Sequence, residues 1–351
     1  MPINAQQLAN GANYQLQTYA ENDPIDQIGF AKPFLKWLIE KKVPSVFGNG
    51  IFNEKVRISY DSNMQWFTGD QQVSYNQRDP DRVAPFMHYE IHDGFTLNET
   101  QLANNGIVMT DDVDAKPTDA EKVQIVSLIK ENFYALKEGL QTSLAEAVLQ
   151  NGTQSTLAVP GLDALISTTP GTGVVGGLDP SIYTFWQNNA SLAISTATAG
   201  TLTQQMEQMW RACTRYGGSV PDKIVCGSSF LDAYRQDAPL QVNRQLQVAD
   251  GKSGYRVDNG SSNIFFKTVE VEWDPTFDQL DEILGAGTYP WAKRCYFLNS
   301  KFLHLRPFKG RWMINRKPPR LYDRYSHFWG ITSDFGLTVS KRNTMAVLSI
   351  A

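Results

Sequence analysis

The feature that most constrains this chain is one very long amphipathic helix, expected over residues 117–152, in a sequence otherwise built of short strands and turn-rich loops. Pro117-Thr118-Asp119-Ala120-Glu121 opens it with a Thr followed three residues later by a Glu. At that spacing each side chain can satisfy an orphan backbone N–H of the other residue. Apolar residues then recur at Val126, Ile129, Phe133, Leu136, Leu140, Leu144 and Val148, in steps of three and four that keep one stripe on one face. Asn151-Gly152 supplies a left-handed stop. The helix would be roughly 45–50 Å long. Taken alone it fits any α+β protein, and its surroundings narrow the choice.

A chain of 351 residues has room for two or three domains, or for one elongated protomer. Its apolar content of 42 % is that of a folded chain. A net charge of −4 gives no global field that would hold nucleic acid or an anionic membrane. No apolar run is long enough to span a bilayer, and the polar, Gln- and Asn-rich opening is unlike a signal peptide, so folding in a cytoplasm with no membrane partner is expected. Cys213, Cys226 and Cys295 are odd in number and unclustered, which favours buried free thiols over a disulfide framework or a zinc site. His88 and His92 are four apart, but Phe86-Met87-His88-Tyr89-Glu90-Ile91 reads as a strand, so the spacing does not put two ligands on one helical face.

Along the chain, residues 1–45 read as an arm. Two weak helical pieces, 5–19 and 34–41, are separated by Glu21-Asn22-Asp23-Pro24, and the segment needs another surface to lie on. Residues 48–80 read as a long two-stranded hairpin, with Val56, Ile58 and Tyr60 alternating in one limb, Val73 and Tyr75 in the other, and Thr68-Gly69-Asp70 as the turn. Trp66 and Phe67 sit near its tip, where exposed rings are a liability unless something covers them; folding back on the same domain or lying on a neighbouring subunit are the two solutions. Another strand is expected within 82–110, ending at Thr96-Leu97-Asn98-Glu99-Thr100. A second amphipathic helix is expected at 202–216, a buried strand at Ile224-Val225-Cys226, and strands at 264–271, 295–298 and 302–305. Alternation at Phe335, Leu337 and Val339 and an apolar strand at 345–350 close the chain, and so apolar a terminus docks into a sheet.

No catalytic constellation emerges, and the chain is not expected to be an enzyme. Gly171-Thr172-Gly173-Val174-Val175-Gly176 matches the dinucleotide fingerprint in letters, but no helix pattern follows it, so a mobile glycine-rich loop is the better description. Gly227-Ser228-Ser229 lacks the nucleophile elbow, and helix capping by one of the serines is expected. Asp111-Asp112-Val113-Asp114 reads as a solvated acidic turn rather than a cation loop. Between Lys293 and Arg324 lie many cations, among them Arg306 and Arg311, with Trp312, Tyr322 and Tyr325 interleaved; immediately upstream is an acidic block that includes Glu270 and Glu272. A stacking and phosphate groove for nucleic acid is one reading. Opposed patches meeting across subunits is the other, and the matched acidic block favours it.

The order of parts resembles the major capsid proteins of tailed bacteriophages with the Hong Kong 97-like fold, an α+β class. Gly161-Leu162-Asp163-Ala164-Leu165-Ile166 after the long helix, Gly176-Gly177-Leu178-Asp179-Pro180, Tyr183-Thr184-Phe185-Trp186, and the stretch Tyr296-Phe297-Leu298-Asn299-Ser300-Lys301-Phe302-Leu303-His304-Leu305 carry the likeness. The resemblance implies an N-terminal arm at 1–45 and an extended β-hairpin loop at 46–82 reaching over an adjacent subunit. It further implies a peripheral domain at 83–164 with a spine helix at 118–151, an axial domain at 165–325, and return strands of the peripheral domain at 326–351. It implies an icosahedral shell of hexamers and pentamers of this one chain, in the virion, assembled in the host cytoplasm around double-stranded DNA contacted without sequence preference. The arm is short, so a separate scaffolding protein is expected, together with a portal and, as an optional addition, a decoration protein. No cofactor and no metal are implied. Subunit-interface residues are expected at Trp66, Phe67, Glu270, Glu272, Arg306 and Arg311. Lys55 is the only lysine in the hairpin and nothing marks a partner Asn, so self-ligating chemistry is not carried over. An encapsulin-like nanocompartment subunit is the alternative within the same fold, and a nucleic-acid-binding protein using 293–324 the alternative outside it.

Overall fold

The structure is a computed structural model that describes residues 29–45, 50–60, 62–98, 100, 119–198, 200–216, 219–237, 264–285, 287–318 and 326–351, with side chains of the long helix described from residue 130 onward. In chain order the elements are α1 (Pro33–Glu40), β1 (Ile51–Arg57), β2 (Asp81–Met87), β3 (Tyr89–Asn98), α2 (Asp119–Leu149), α3 (Leu162–Leu165), β4 (Asn189–Ile194), α4 (Thr201–Arg215), β5 (Lys223–Cys226), α5 (Ser228–Asp237), β6 (Ile264–Phe266), β7 (Val269–Trp273), α6 (Pro275–Leu284), β8 (Arg294–Leu298), β9 (Leu303–Pro307), β10 (Ile314–Arg316), β11 (Ser326–Val339) and β12 (Ala346–Ile350). The expected helical piece at 5–19, the capping box at Thr118 and Glu121, and the acidic turn at 111–114 lie outside the described residues or side chains.

The chain divides into two compact units. The first comprises 1–30, 92–141 and 313–332. Its described core is aromatic: Phe95 stacks on Trp329 at 5.5 Å and meets Phe133 of the long helix edge-on at 5.3 Å. Here β10 pairs antiparallel with the first part of β11, from Ile314↔Thr332 to Arg316↔Gly330.

The second unit comprises 31–91, 142–312 and 333–351. Its centre is a six-stranded sheet in the order β4-β12-β8-β5-β7-β6. β12 runs parallel to β4 and antiparallel to β8. Both β8 and β12 are buried at every position, which is why apolar residues dominate them without a polar–apolar alternation. One face of the sheet packs α4 and α5 through Leu202, Met206, Trp210, Phe230 and Tyr234. Tyr296, on β8, contacts Phe277 of α6 at 5.9 Å. Cys213, Cys226 and Cys295 are buried and unbonded, and burial pushes the Cys213 thiol up to about 12, so they act as small apolar side chains.

The end of the long helix follows its sequence. Leu136, Leu140, Leu144 and Val148 are buried, and Gly152 stops the chain at φ +84, where a Cβ would stand 2.9 Å from the Pro160 backbone. At about 1.5 Å per residue the helix is roughly 46 Å long.

Four expectations change. The return strands at 326–351 do not stay together: β12 belongs to the six-stranded sheet with β4 and β8, where every one of its residues is buried. The paired second limb of the hairpin is β2, not the 73–75 segment, and the paired part continues to Met87. The glycine-rich segment is not a loose loop. Val175 and Leu178 exchange backbone hydrogen bonds at 3.1 and 3.2 Å around Gly176 and Gly177, both at positive φ, and the buried Trp186 donates from Nε1 to the Val175 carbonyl at 2.9 Å. Finally, neither serine caps α5 with its own oxygen: Ser228 donates its amide and its hydroxyl to Asp278, at 3.3 and 2.7 Å.

The last part of the arm lies on this chain's own second unit. Phe34, Leu35, Trp37 and Leu38 of α1 are buried, with Pro33 in the first turn. Asp274 accepts from the Phe34 amide at 3.1 Å and from the Thr276 amide at 2.9 Å, so one buried carboxylate caps both α1 and α6. Beyond α1 the chain follows β9, with Val43 N donating to Leu305 O and Ser45 N to Pro307 O, both at 2.9 Å.

Candidate assembly surface

The paired ribbon runs from Ile51↔Met87 to Arg57↔Asp81, where Arg57 Nε meets Asp81 Oδ1 at 3.0 Å. The Ile58 amide still reaches the Pro80 carbonyl at 2.7 Å. Farther out, among the described residues, side-chain amides take over from the backbone ladder. Asn63 Nδ2 donates to Ser74 O at 2.7 Å, and the Ser74 amide donates to Gln65 Oε1 at 3.2 Å. The turn is where its sequence put it, with Gln71 N donating to Thr68 O at 2.8 Å.

This outer stretch carries a set of rings with little to bury them. Trp66 is 89 % exposed and Phe67 66 %, and Tyr60, Met64 and Tyr75 are exposed as well. The expected pair at the tip is therefore accompanied by three more large side chains. Tyr60 and Tyr75 were legible in the sequence as alternating positions of the two limbs.

The charged candidates behave differently. Arg306, on β9, forms an ion pair with Glu54 of β1 and donates from Nε to Thr338 Oγ1 at 3.0 Å. Arg311 pairs with Asp334 at 3.0 Å and approaches Glu90 at 3.9 Å. Glu272 pairs with Lys223 on the neighbouring strand β5. Glu270 stands half-buried on β7 opposite Phe265. The structure does not bring the four together, and three of them have partners within the chain. Arg294 of the same basic run is almost fully buried, with Asp163 at 2.9 Å and the Trp291 ring at 4.3 Å. A phosphate groove along 293–324 would have to do without Arg294. Arg320, Tyr322, Arg324 and Tyr325 lie outside the described residues. No group of three or more metal-ligating side chains occurs among the described residues, and no described helix is long and apolar enough to cross a membrane.

Solved structures similar to this chain are phage and phage-like capsids. The capsid of cyanophage A-1(L) is 15 % identical, with 94 % of this chain and 95 % of that one covered and a TM-score of 0.62. The capsid of Myoviridae phage XM1 is 12 % identical over 95 % and 98 %, with a TM-score of 0.56. A chain of Mycobacterium phage Bobi is 8 % identical over 100 % and 99 %, with a TM-score of 0.55. This chain has the Hong Kong 97-like capsid fold. The likeness covers the chain from end to end, so the ribbon, the long helix and the six-stranded sheet are parts of one shared architecture. No protein-family profile matches the sequence, and no curated protein matches it significantly.

Proposed function

We propose that this chain is the major shell subunit of a tailed-bacteriophage head, assembling as hexamers and pentamers into an icosahedral shell around double-stranded DNA. The observation that carries the reading is the aromatic hairpin end, exposed on a chain whose fold matches phage capsid structures over 94 % and 95 % of its length. In this reading the rings of Trp66 and Phe67 are buried by an adjacent copy, and assembly supplies the burial that the protomer lacks. Residues 1–45 act as the arm, 46–82 as the overlapping loop and 118–151 as the spine helix, while 165–325 gather around the centre of each hexamer or pentamer. A separate scaffolding protein guides closure, a portal occupies one vertex, and the finished shell resides in the virion after assembly in the host cytoplasm.

Electron microscopy of the expressed protein, alone and with the products of its neighbouring genes, tests the proposal. Closed shells built of hexamers and pentamers are expected. A monodisperse monomer whose melting is independent of concentration, and which never assembles in either setting, overturns it. Shells that enclose a cargo enzyme in place of DNA would select the nanocompartment role.

A further inference from the structure

The ribbon of β1 and β2 buries one face only. Phe52 and Val56 from β1 and Ala84 and Phe86 from β2 are buried, while Val83 and Met87 on the other face are exposed. Two glycines receive the buried face. At Gly176 a Cβ would stand 2.9 Å from Phe86 Cζ and 3.0 Å from Ala84 Cβ. At Gly336, on β11, it would stand 2.7 Å from Phe52 Cε2 and 2.7 Å from the Met87 carbonyl oxygen. Phe52 and Phe86 are direct cross-strand partners, so the two notches hold one pair of rings, one ring from each strand.

The turn that presents Gly176 is itself anchored. Trp186 holds the Val175 carbonyl through its indole N–H, and Arg342 Nη1 donates to the Trp186 carbonyl at 3.1 Å. Arg342 is fully buried and also reaches the Leu165 carbonyl at 2.7 Å and Asn188 Oδ1 at 3.2 Å. A run of directional contacts thus leads from a buried guanidinium to the base of the ribbon.

We infer that Gly176 and Gly336 are positioning residues, a seat that fixes the base of the ribbon and so aims its aromatic end. The seat is a property of the protomer; its use in assembly rests on the shell reading above.

Hydrogen exchange of the unassembled protein tests the seat at the amides of 51–57, 81–84, 86 and 87. Gly176→Ala sets a methyl against Phe86 and Ala84 at φ +57. Gly173→Ala is the control, because it carries the same kind of backbone strain at φ +79 with nothing within 4 Å. Gly176→Ala and Gly336→Ala should speed ribbon exchange at least about tenfold over Gly173→Ala while β12 stays protected. Adding Ala84→Gly and Phe86→Leu to Gly176→Ala should restore protection. Phe86→Ala, which empties the notch without strain, should loosen the ribbon as well and decides the matter if Gly176→Ala does not fold. Equal exchange in Gly176→Ala and Gly173→Ala, or an undisturbed ribbon in Phe86→Ala, overturns the seat. Particle assembly is scored in parallel. A loosened ribbon with normal particles overturns the aiming role, whereas wild-type protein that never forms particles overturns the shell reading and not the seat.

Discussion

Trp66 and Phe297 are both large rings in β-rich surroundings of the second unit, and their environments are opposite. Phe297 is fully buried on β8, stacked on Phe266 at 5.9 Å and edge-on to Trp210 at 6.1 Å. Trp66 is 89 % exposed on a stretch whose two limbs are joined mainly by side-chain amides. Apolar burial stabilises at about 25 cal/mol per Å², so the sheet region gains its stability inside the chain, whereas the hairpin end can gain it only from something else. One sequence thus contains a self-sufficient core and a surface that is unfinished in the protomer. The difference separates what folds this chain from the surface that the proposed shell would use.

The sheet side of the comparison gives the largest expected effect. Phe297→Ala should cost about 3–5 kcal/mol of protomer stability, since it removes a ring from a close-packed cluster and leaves a cavity. Denaturant unfolding of the unassembled protein measures it. A loss below about 1 kcal/mol would mean that the cluster can collapse around the gap and is not a rigid core.

At the other pole, Trp66→Ala should leave protomer stability within about 0.5 kcal/mol of the parent, because the ring has little to lose there. Assembly should weaken by about 2–4 kcal/mol per contact, as for interface aromatic anchors. The critical concentration for particle formation, read by light scattering, tests this against the unfolding curve. A destabilised protomer with unchanged assembly would reverse the comparison and return the ring to its own chain.

Asp237 offers a smaller and pH-dependent effect within the sheet region. It ends α5, where its charge opposes that helix's own dipole, yet it caps α4: Oδ2 accepts from the Thr203 amide at 2.9 Å and the Thr203 hydroxyl at 2.7 Å, and Oδ1 accepts from the Gly200 amide. Burial alone would raise its pKa, but these hydrogen bonds outweigh burial and hold the carboxyl below the ordinary range. A folded-state pKa below the unfolded one gives stability that is present above the unfolded value, about 3.9, and is lost as pH falls through the folded value. Asp237→Asn should therefore cost about 1 kcal/mol at neutral pH. The gap to the parent should close in acid. A gap that widens on acidification would contradict the capping role.

Periodicity and burial account for what was legible in the sequence. The stripe from Leu136 to Val148, the apolar face of α4 and the run in β12 each report a local environment, so one chain is enough to read them. The order of the six strands and the placement of β12 between β4 and β8 are not local properties, and no periodicity encodes them. The hairpin's second limb misleads for a physical reason. Val73 and Tyr75 alternate as a strand does, but side-chain amides supply the links there, while the true partner strand contains Pro85. The charge blocks show another limit of a sequence reading. A cluster of like charges is visible in sequence, but partners such as Glu54 for Arg306 and Asp163 for Arg294 lie far away along the chain.

Those pairings set up the smallest effect and the closest test of where the two regions divide. Arg311 keeps more than half of its side chain exposed while touching Asp334 and, at longer range, Glu90. An exposed pair of this kind contributes about 0–1 kcal/mol and is screened by salt. If Arg311 serves its own chain, Arg311→Gln should lower protomer stability by about 0.5 kcal/mol at low salt, and the difference should fade as salt rises. Assembly rate should then follow the small stability change and nothing more. If Arg311 instead steers an encounter with the acidic block of another copy, the assembly rate should fall several-fold at low salt with stability unchanged, and reversing Glu270 and Glu272 to Lys alongside Arg311→Glu should recover part of it. The intramolecular partners favour the first outcome. On that outcome the charge serves the fold it sits on, and the exposed rings of the hairpin end are what the proposed shell would bury.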